Sequence, residues 1–248
     1  MTSRQATSLL PRAEGTKVLG GAGRTWRDWA ALIGIGAVQW PWLLRSLHGG
    51  SEAQRHALLD SLDLPRGALP SLGSWKADVA LLRLVSEHIA AHRPEVVVEF
   101  GAGASTLIAA RALQKAGGGR LFSFEQHADF VEATRQWLSE FGLEAEIRPA
   151  PLAPSAEWPG LWYQHGPLPE RIDLLVIDGP PWTIHPLTRG AADSLFGRIA
   201  VGGTVMLDDA ARPGERLVAR RWRRRWPGFE FRLVKSGSKG TLVGTRLR

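Results

Sequence analysis

The sequence predicts an α/β protein whose core is a doubly wound, mostly parallel seven-stranded sheet ending in an antiparallel hairpin, with an N-terminal helical extension. From residue 95 onward, apolar strand-like runs alternate with helix-like segments, which implies right-handed crossovers and a parallel sheet covered on both faces. Only residues 235–240 separate the last two strand-like runs, too few for a crossover, so these strands must be antiparallel. With 44% hydrophobic and 22% charged residues, the 248-residue chain is not wholly disordered.

Residues 1–73 are predicted to form a helical extension, or lid, ahead of a core domain that spans residues 74–248. Residues 1–25 crowd glycines among polar neighbours and predict no regular structure. The most apolar stretch, residues 29–44, predicts a helix that breaks near Pro41. It is shorter than the roughly 20 apolar residues of a membrane-spanning helix, so we expect it to pack onto the core domain. Peripheral contact of its tryptophans with a membrane is the alternative.

The core domain follows a regular order of elements. Ser74 is predicted to cap a helix that carries apolar residues at spacings of three and four and ends before Pro94. Strands are then predicted at 96–100, 121–125, 144–150, 172–178, 204–208, 229–234 and 241–246. Helices are predicted between them at 106–115, 128–141, 187–199 and 214–226, and a loop rich in proline and tryptophan at 151–169.

Two glycines mark the turn after the first strand. Gly101 and Gly103 would let backbone N–H groups and a helix N-terminus approach a ligand. Glu125 ends the second strand, where a carboxylate can accept both hydroxyls of a ribose. A dinucleotide site expects a third glycine at the position of Thr106. Glu99, two residues before the first glycine, would repel a pyrophosphate but suits an ammonium or sulfonium ligand. The pattern therefore favours S-adenosylmethionine over NAD.

The run Glu99-x-Gly101-x-Gly103, taken with Glu125 and the terminal hairpin, resembles the class I S-adenosylmethionine-dependent methyltransferase family, which has a Rossmann-like fold. The resemblance extends over the core domain. It implies that Glu99, Gly101 and Gly103 line the cofactor S-adenosyl-L-methionine and that Glu125 holds its ribose. Ser105, in the same loop, is a further candidate for contact with the cofactor. An ordinary strand–helix turn with a surface glutamate at position 125 is the alternative.

Three acids follow two neighbouring strands of the predicted sheet. Asp178 ends one strand, and Asp208 and Asp209 end the next, so their carboxylates should converge at the edge where ligands bind. Oxygen-rich sites of this kind suit Mg²⁺ or Ca²⁺. The arrangement is similar to that of metal-dependent catechol-type O-methyltransferases, which carry an acid and then an acid–amide pair. The chain departs from them by having Asp209 instead of an amide and no lysine close behind Asp178. Pairing of Asp208 and Asp209 with Arg212 is the alternative.

The candidate catalytic residues are Asp178 and His185. Asp178 ends an otherwise apolar strand and must be solvated or paired. His185 lies in the loop that follows, and a pKa of about 6.5 suits a general base for a hydroxyl; a surface histidine is the alternative. Aromatic residues of the same loops are expected either to stack on the adenine or the acceptor, or to pack the loops onto the domain: Trp158, Trp162, Tyr163 and Trp182.

The net charge of +7 is concentrated in one predicted helix. Residues 212–226 carry seven arginines and a single acid, Glu215. Val218, Trp222 and Trp226 recur every four residues and should pack on the sheet, which leaves the arginines toward solvent. A solvated face is the expected role, and an anionic partner is the alternative.

Composition and patterning narrow the function classes. The absence of cysteine excludes a disulfide scaffold and thiolate chemistry. Residues 1–10 carry no secretory signal pattern, so we expect a cytoplasmic protein. The main hypothesis is methyl transfer from S-adenosylmethionine to a hydroxyl of a small molecule or sugar, with or without Mg²⁺. The alternatives are an RNA methyltransferase that uses the basic helix at 212–226, and a nucleotide-binding protein without methyltransferase activity. The acceptor and the oligomeric state are left open.

Overall fold

The computed structural model describes residues 25–248. The expectations for residues 1–24 lie outside the described residues. Six α-helices are present in the described part: α1 (Trp26–Ser46), α2 (Glu52–Ser61), α3 (Val79–His92), α4 (Ala104–Ala116), α5 (Ala128–Ser139) and α6 (Pro213–Arg225). The strands are β1 (Val96–Phe100), β2 (Arg120–Glu125), β3 (Glu146–Pro149), β4 (Leu152–Pro154), β5 (Leu161–Tyr163), β6 (Ile172–Ile177), β7 (Ile199–Leu207), β8 (Phe229–Val234) and β9 (Thr241–Arg246).

The predicted sheet is confirmed. Seven strands pair in the order β3-β2-β1-β6-β7-β9-β8. The pairs among β3, β2, β1, β6 and β7 are parallel, whereas β9 runs antiparallel to both β7 and β8. The strand order reverses beside β1, so the loops after β1 and β6 meet at one edge, where ligands bind in sheets of this type.

Buried side chains form one apolar layer on each face of the sheet. One layer joins the sheet to α2, α3, α4 and α5 and is mostly aliphatic. The other joins it to α6 and to a 3₁₀ helix at Thr188–Arg198, and it is rich in aromatic rings. In α6, Val218 and Trp222 are fully buried and Trp226 is partly buried, as the four-residue spacing predicts. The other side of α6 carries exposed arginines: Arg216, Arg220, Arg223, Arg224 and Arg225.

Several predicted elements differ from the structure in type or bounds. The segment predicted as a helix at 187–199 is the 3₁₀ helix, since its glycines and short side chains favour tight turns over a long α-helix. The loop predicted at 151–169 contains the small antiparallel pair of β4 and β5. The third strand is shorter than predicted and begins at Glu146.

Ser74 does not cap α3. The N-cap is Asp78, whose Oδ1 accepts a hydrogen bond from the backbone N–H of Leu81 at 2.9 Å. Ser74 has a positive φ of 62° and its N–H donates to the carbonyl oxygen of Ser46, so it belongs to the turn that connects α1 to the core. The end of α3 before Pro94 is confirmed.

The predicted break of the first helix at Pro41 is wrong, because α1 continues to Ser46. Proline removes one helical N–H donor, but the segment beyond it is fixed by Ser46, which is buried and bonded to Ser74. Apolar side chains on α1 are exposed: Trp26, Trp29, Ile33, Val38, Trp40 and Leu44. Membrane contact through these tryptophans stays a prediction. Among residues 25–248, no helix combines the length and apolarity needed to cross a bilayer.

Candidate active site

The turn after β1 fits closely against the turn after β6. Gly101 has a φ of 100°, which favours glycine, and a Cβ atom there would lie 2.9 Å from the backbone nitrogen of Gly179. Gly103, the N-cap of α4, has an extended φ of 167° and faces open space, with no atom within 4 Å of a Cβ built on it. Packing therefore requires glycine at position 101, whereas at position 103 it leaves room above a helix N-terminus.

Glu99 lies beneath this loop and is fully buried. Its Oε2 atom accepts hydrogen bonds from Thr106 Oγ1 at 2.5 Å and from Ser123 Oγ at 2.6 Å. Burial raises the pKa of Glu99, and bonds from the hydroxyls of Ser105, Ser123 and Thr106 oppose that rise. Thr106 also accepts from the Gly103 N–H at 2.8 Å. Glu99 thus holds the glycine loop from the side of the sheet.

Glu125 ends β2 beside the same loop. Its Oε1 atom accepts the N–H of His127 at 3.0 Å, and the N–H groups of Ala102 and Gln126 also contribute hydrogen bonds. Burial raises the pKa of Glu125 to about 8. The alternative of an exposed surface glutamate at this position is therefore wrong, because the side chain is buried.

The three acids predicted to converge do so. Carboxylate oxygens of Asp178, Asp208 and Asp209 all lie within 4.8 Å of one another, and we call these three residues the carboxylate cluster. Asp178 directly follows β6, and the other two directly follow β7. Asp178 Oδ1 and Asp208 Oδ1 are buried without a hydrogen-bond partner. Asp178 Oδ1 lies 3.8 Å from a guanidinium nitrogen of Arg189, so its contact there is an ion pair without a hydrogen bond.

Three buried cations surround the carboxylate cluster. Arg189, from the 3₁₀ helix, contacts Asp209 Oδ2 at 3.0 Å, and Arg212 contacts the same oxygen at 2.9 Å. Lys239, from the turn between β8 and β9, places Nζ 3.3 Å from Asp208 Oδ2 and 3.6 Å from Asp209 Oδ1. Of the alternative pairing of Asp208 and Asp209 with Arg212, the structure shows the contact with Asp209, whereas Asp208 contacts Lys239; Arg212 also pairs with Glu215.

Burial and these cations set the pKa values of the cluster. Burial raises the pKa of Asp209, but Arg212, Lys239 and Arg189 outweigh it and hold the pKa well below its usual range. Burial raises the pKa of Asp208 to about 6, with Lys239 opposing the rise. Burial and the neighbouring Asp208 raise the pKa of Asp178 well above its ordinary value.

The donor set of the carboxylate cluster does not fit a resident divalent ion. Lys239 and the two arginines already engage Asp208 Oδ2 and both oxygens of Asp209. A divalent ion held by the remaining oxygens would share a site with a buried ammonium group, which repels it at short range.

His185 is buried beneath α1, so its alternative as a surface histidine is wrong. Its Nδ1 accepts the N–H of Leu187 at 3.1 Å, and its Nε2 lies 3.9 Å from Asp28 Oδ1 of α1. With Nδ1 accepting, a neutral imidazole carries its proton on Nε2 and acts there as a donor. Trp182, in the same loop, contacts α1 beside Gly36.

The candidate aromatic residues divide between packing and the site. Trp158 packs on Gly190 and donates its indole N–H to Asp193 at 3.0 Å, which fixes its loop to the domain. Tyr163 packs on the Phe100 ring, and its buried hydroxyl has no hydrogen-bond partner. Burial and then the nearby Glu125 raise the pKa of Tyr163 well above its ordinary value. Tyr163 thus lies between Glu125 and Asp178.

Sequence reasoning missed Lys239 and Arg189. Arg189 is separated from Asp209 by β7, and Lys239 arrives from the last hairpin, so no local motif connects them to the acids. The available signal for Lys239 was its rarity: the chain has only five lysines, and this one stands in a glycine-flanked turn between two strands.

Comparisons with known proteins bear on the family and the fold. Residues 98–210 match a family model described as a methyltransferase domain. No curated protein matches the chain. Three similar solved structures have TM-scores that support a common fold. An O-methyltransferase from Bacillus cereus in complex with SAH is 14% identical, with 85% of this chain and 97% of that chain covered and a TM-score of 0.54.

The other two relatives are comparably distant. A putative O-methyltransferase from Klebsiella pneumoniae is 16% identical, with coverages of 86% of this chain and 97% of that one and a TM-score of 0.53. A methyltransferase from Geobacter sulfurreducens is 20% identical, with coverages of 79% and 87% and a TM-score of 0.53.

Proposed function

We propose that this chain, whose residues 98–210 match a methyltransferase-domain model, is an S-adenosylmethionine-dependent methyltransferase and that it transfers the methyl group to a hydroxyl of a small molecule or sugar. The observation that carries the proposal is the close contact between Gly101 and Gly179. It brings the glycine loop beside Asp178, whose Oδ1 atom is buried without a hydrogen-bond partner. A cofactor site and a proton acceptor then share one edge of the sheet.

The cofactor half of the site consists of the glycine loop and Glu125. The open space at Gly103 lets a ligand approach the N-terminus of α4, whose free N–H groups favour a carboxylate. Glu125 accepts the two ribose hydroxyls, and Glu99 and Ser105 keep the loop in place from below. In this proposal Glu99 acts on the cofactor through the loop it supports.

The acceptor half supplies the proton acceptor. The acceptor oxygen attacks the sulfonium methyl in line, an O–C bond forms, the S–C bond breaks, and the neutral thioether leaves. The hydroxyl proton passes to Asp178 Oδ1, which has no hydrogen-bond partner in the protein. Binding of the cationic cofactor favours the ionised form of Asp178 before transfer. His185 holds the loop after β6 against α1 and is a positioning residue in this scheme.

We further propose that α1, at the start of the described residues, is a lid over the acceptor side. The approach of Asp28 to His185 and of Gly36 to Trp182 supports this arrangement. Closure of such a lid would exclude water from the sulfonium centre.

Calorimetry with S-adenosylhomocysteine tests the cofactor half. The wild-type protein should bind it, Glu125→Ala should not, and Glu132→Ala should bind like wild type because Glu132 is an exposed residue of α5. Transfer of labelled methyl groups to a panel of phenols, sugars and RNA then identifies the acceptor. Binding of NADP but not of S-adenosylhomocysteine would refute the proposal. Methyl transfer to RNA alone would instead indicate that the exposed arginines of α6 bind an RNA acceptor.

A further inference from the structure

Lys239 is an ammonium group built into the carboxylate cluster. Its side chain is 1% exposed, and Nζ contacts oxygens of both Asp208 and Asp209. Nζ also donates to the carbonyl oxygen of Lys76 at 2.7 Å. A lysine is rarely buried to this extent unless it is paired, so the surrounding carboxylates are what stabilise the charged ammonium here.

The turn that carries Lys239 is anchored on both sides. Ser238 donates from its backbone N–H to Asp78 Oδ2 at 3.0 Å, and the carbonyl oxygen of Lys239 accepts the N–H of Ala211 at 3.0 Å. Gly237 has a φ of 76°, and a Cβ atom there would lie 2.4 Å from Asp78 Oδ2. The backbone therefore aims Lys239 inward.

The oxygens around Nζ form a ligand set for a divalent ion. Asp208 Oδ2 and Asp209 Oδ1 face the ammonium, and Asp178 Oδ1 and Asp208 Oδ1 are buried without a hydrogen-bond partner, although Arg189 lies 3.8 Å from Asp178 Oδ1. Carboxylate oxygens in this number are what Mg²⁺ and Mn²⁺ take as ligands, with water completing the shell. In this chain the Lys239 ammonium stands among them instead, while Arg189 and Arg212 contact the outer oxygen of Asp209.

We propose that the Lys239 ammonium takes the place of a divalent ion in the carboxylate cluster, so that this methyltransferase works without metal and loss of the lysine exposes a latent divalent-cation site. The inference rests on the proposed function for the location of the active site, but not on the identity of the acceptor. Lys239 orients Asp208 and Asp209 and supplies fixed positive charge at the acceptor edge, which is where an oxyanion would develop.

Removal of the lysine should open the site to metal. In Lys239→Ala, the oxygens of Asp208 and Asp209 lose their ammonium partner, and the deleted side chain leaves room for an ion and its waters. The variant should therefore bind Mn²⁺ saturably, whereas the wild-type protein should not. A second substitution, Asp178→Asn in the Lys239→Ala background, removes one ligand and should weaken that binding at least tenfold.

The test is titration of the full-length apo proteins with Mn²⁺, read by loss of the free-ion electron paramagnetic resonance signal. Saturable Mn²⁺ binding by the wild-type protein would overturn the proposal, and so would a folded Lys239→Ala that binds no ion. If Lys239→Ala does not fold, the wild-type titration decides, together with cofactor turnover before and after chelator dialysis. A loss of turnover that added Mg²⁺ restores would also overturn it.

The same samples separate this inference from the proposed function. S-adenosylhomocysteine binding by the wild-type protein reports on the methyltransferase site, and the Mn²⁺ titration reports on Lys239. Failure of the first with the expected result in the second would reject the function and leave the latent cation site in place.

Discussion

The two halves of the site differ in the groups that form them and in how far apart those groups lie in the sequence. The cofactor half uses backbone turns and hydroxyl groups that are close in sequence, with Glu99 and Glu125 as its acids and no cation within hydrogen-bond distance of either among the described residues. The acceptor half uses full charges brought together from distant segments, with Arg189, Arg212 and Lys239 around the carboxylate cluster. The difference suggests that the cofactor half awaits a cationic ligand, whereas the acceptor half is internally neutralised.

Loss of a buried cation should have the largest effect on the free energy of unfolding. Arg189→Met leaves Asp209 with one partner fewer and removes donors to the carbonyl oxygens of Asp178, Pro180 and Asp208. We expect the free energy of unfolding to fall by about 3–5 kcal/mol. Arg220→Met, on the exposed face of α6, should change it by less than about 0.5 kcal/mol. Chemical denaturation measures both, and equal effects would contradict the internally neutralised acceptor half.

Removal of the proposed proton acceptor should slow methyl transfer without weakening cofactor binding. Asp178→Asn keeps the shape of the side chain but cannot take a proton, so we expect the rate of methyl transfer to fall by roughly 100-fold. The dissociation constant for S-adenosylhomocysteine should change little, because the cofactor half is intact. Loss of cofactor binding in this variant would instead assign Asp178 to the cofactor. Single-turnover kinetics and calorimetry distinguish the two results.

The two glycines of the loop should respond differently to alanine. Gly101→Ala forces a side chain into a positive φ and against Gly179, and should lower the free energy of unfolding by about 1–3 kcal/mol. Gly103→Ala meets open space and an extended φ, so stability should be nearly unchanged while the affinity for S-adenosylhomocysteine falls. Thermal unfolding with and without S-adenosylhomocysteine measures both the stability and the affinity. Unchanged affinity in Gly103→Ala would show that the ligand does not contact this loop.

The smallest effect should come from Glu125→Gln, and it depends on pH. The folded-state pKa of Glu125 is raised from 4.5 to about 8, so the wild-type protein loses stability as pH rises through this interval, because the folded state disfavours the ionised form. Glu125→Gln abolishes that loss and should be the more stable protein at pH 8.

Cofactor affinity should follow the opposite trend. In the wild-type protein it should increase as pH rises through about 8, since the ionised carboxylate accepts both ribose hydroxyls. In Glu125→Gln it should be about tenfold weaker and lack that increase. Calorimetry from pH 6 to 9, with Glu132→Gln as the exposed control, measures this, and parallel pH profiles in the two proteins would place the ribose elsewhere.

Sequence reasoning could propose the cofactor half because its parts are local. The strand periodicity, the glycine turn and Glu125 all lie within two consecutive strand–helix units. The convergence of the carboxylate cluster followed from one general rule about parallel strands, and it is confirmed.

The partners of the carboxylate cluster could not be derived in the same way. Lys239 reaches Asp208 through tertiary packing, and nothing in the spacing of the two residues encodes the contact. The continuity of α1 past Pro41 was likewise decided by a distant anchor, the bond between Ser46 and Ser74, rather than by local propensity.

The carboxylate of Asp78 has a consequence for motion. One oxygen caps the first turn of α3, and the other holds Ser238 in the turn that carries Lys239. Local unfolding of that turn would therefore uncap α3, so the two segments should open as one cooperative unit. Their amide hydrogens should exchange with solvent at a common free energy of opening, and the ammonium in the cluster should leave only when that unit unfolds.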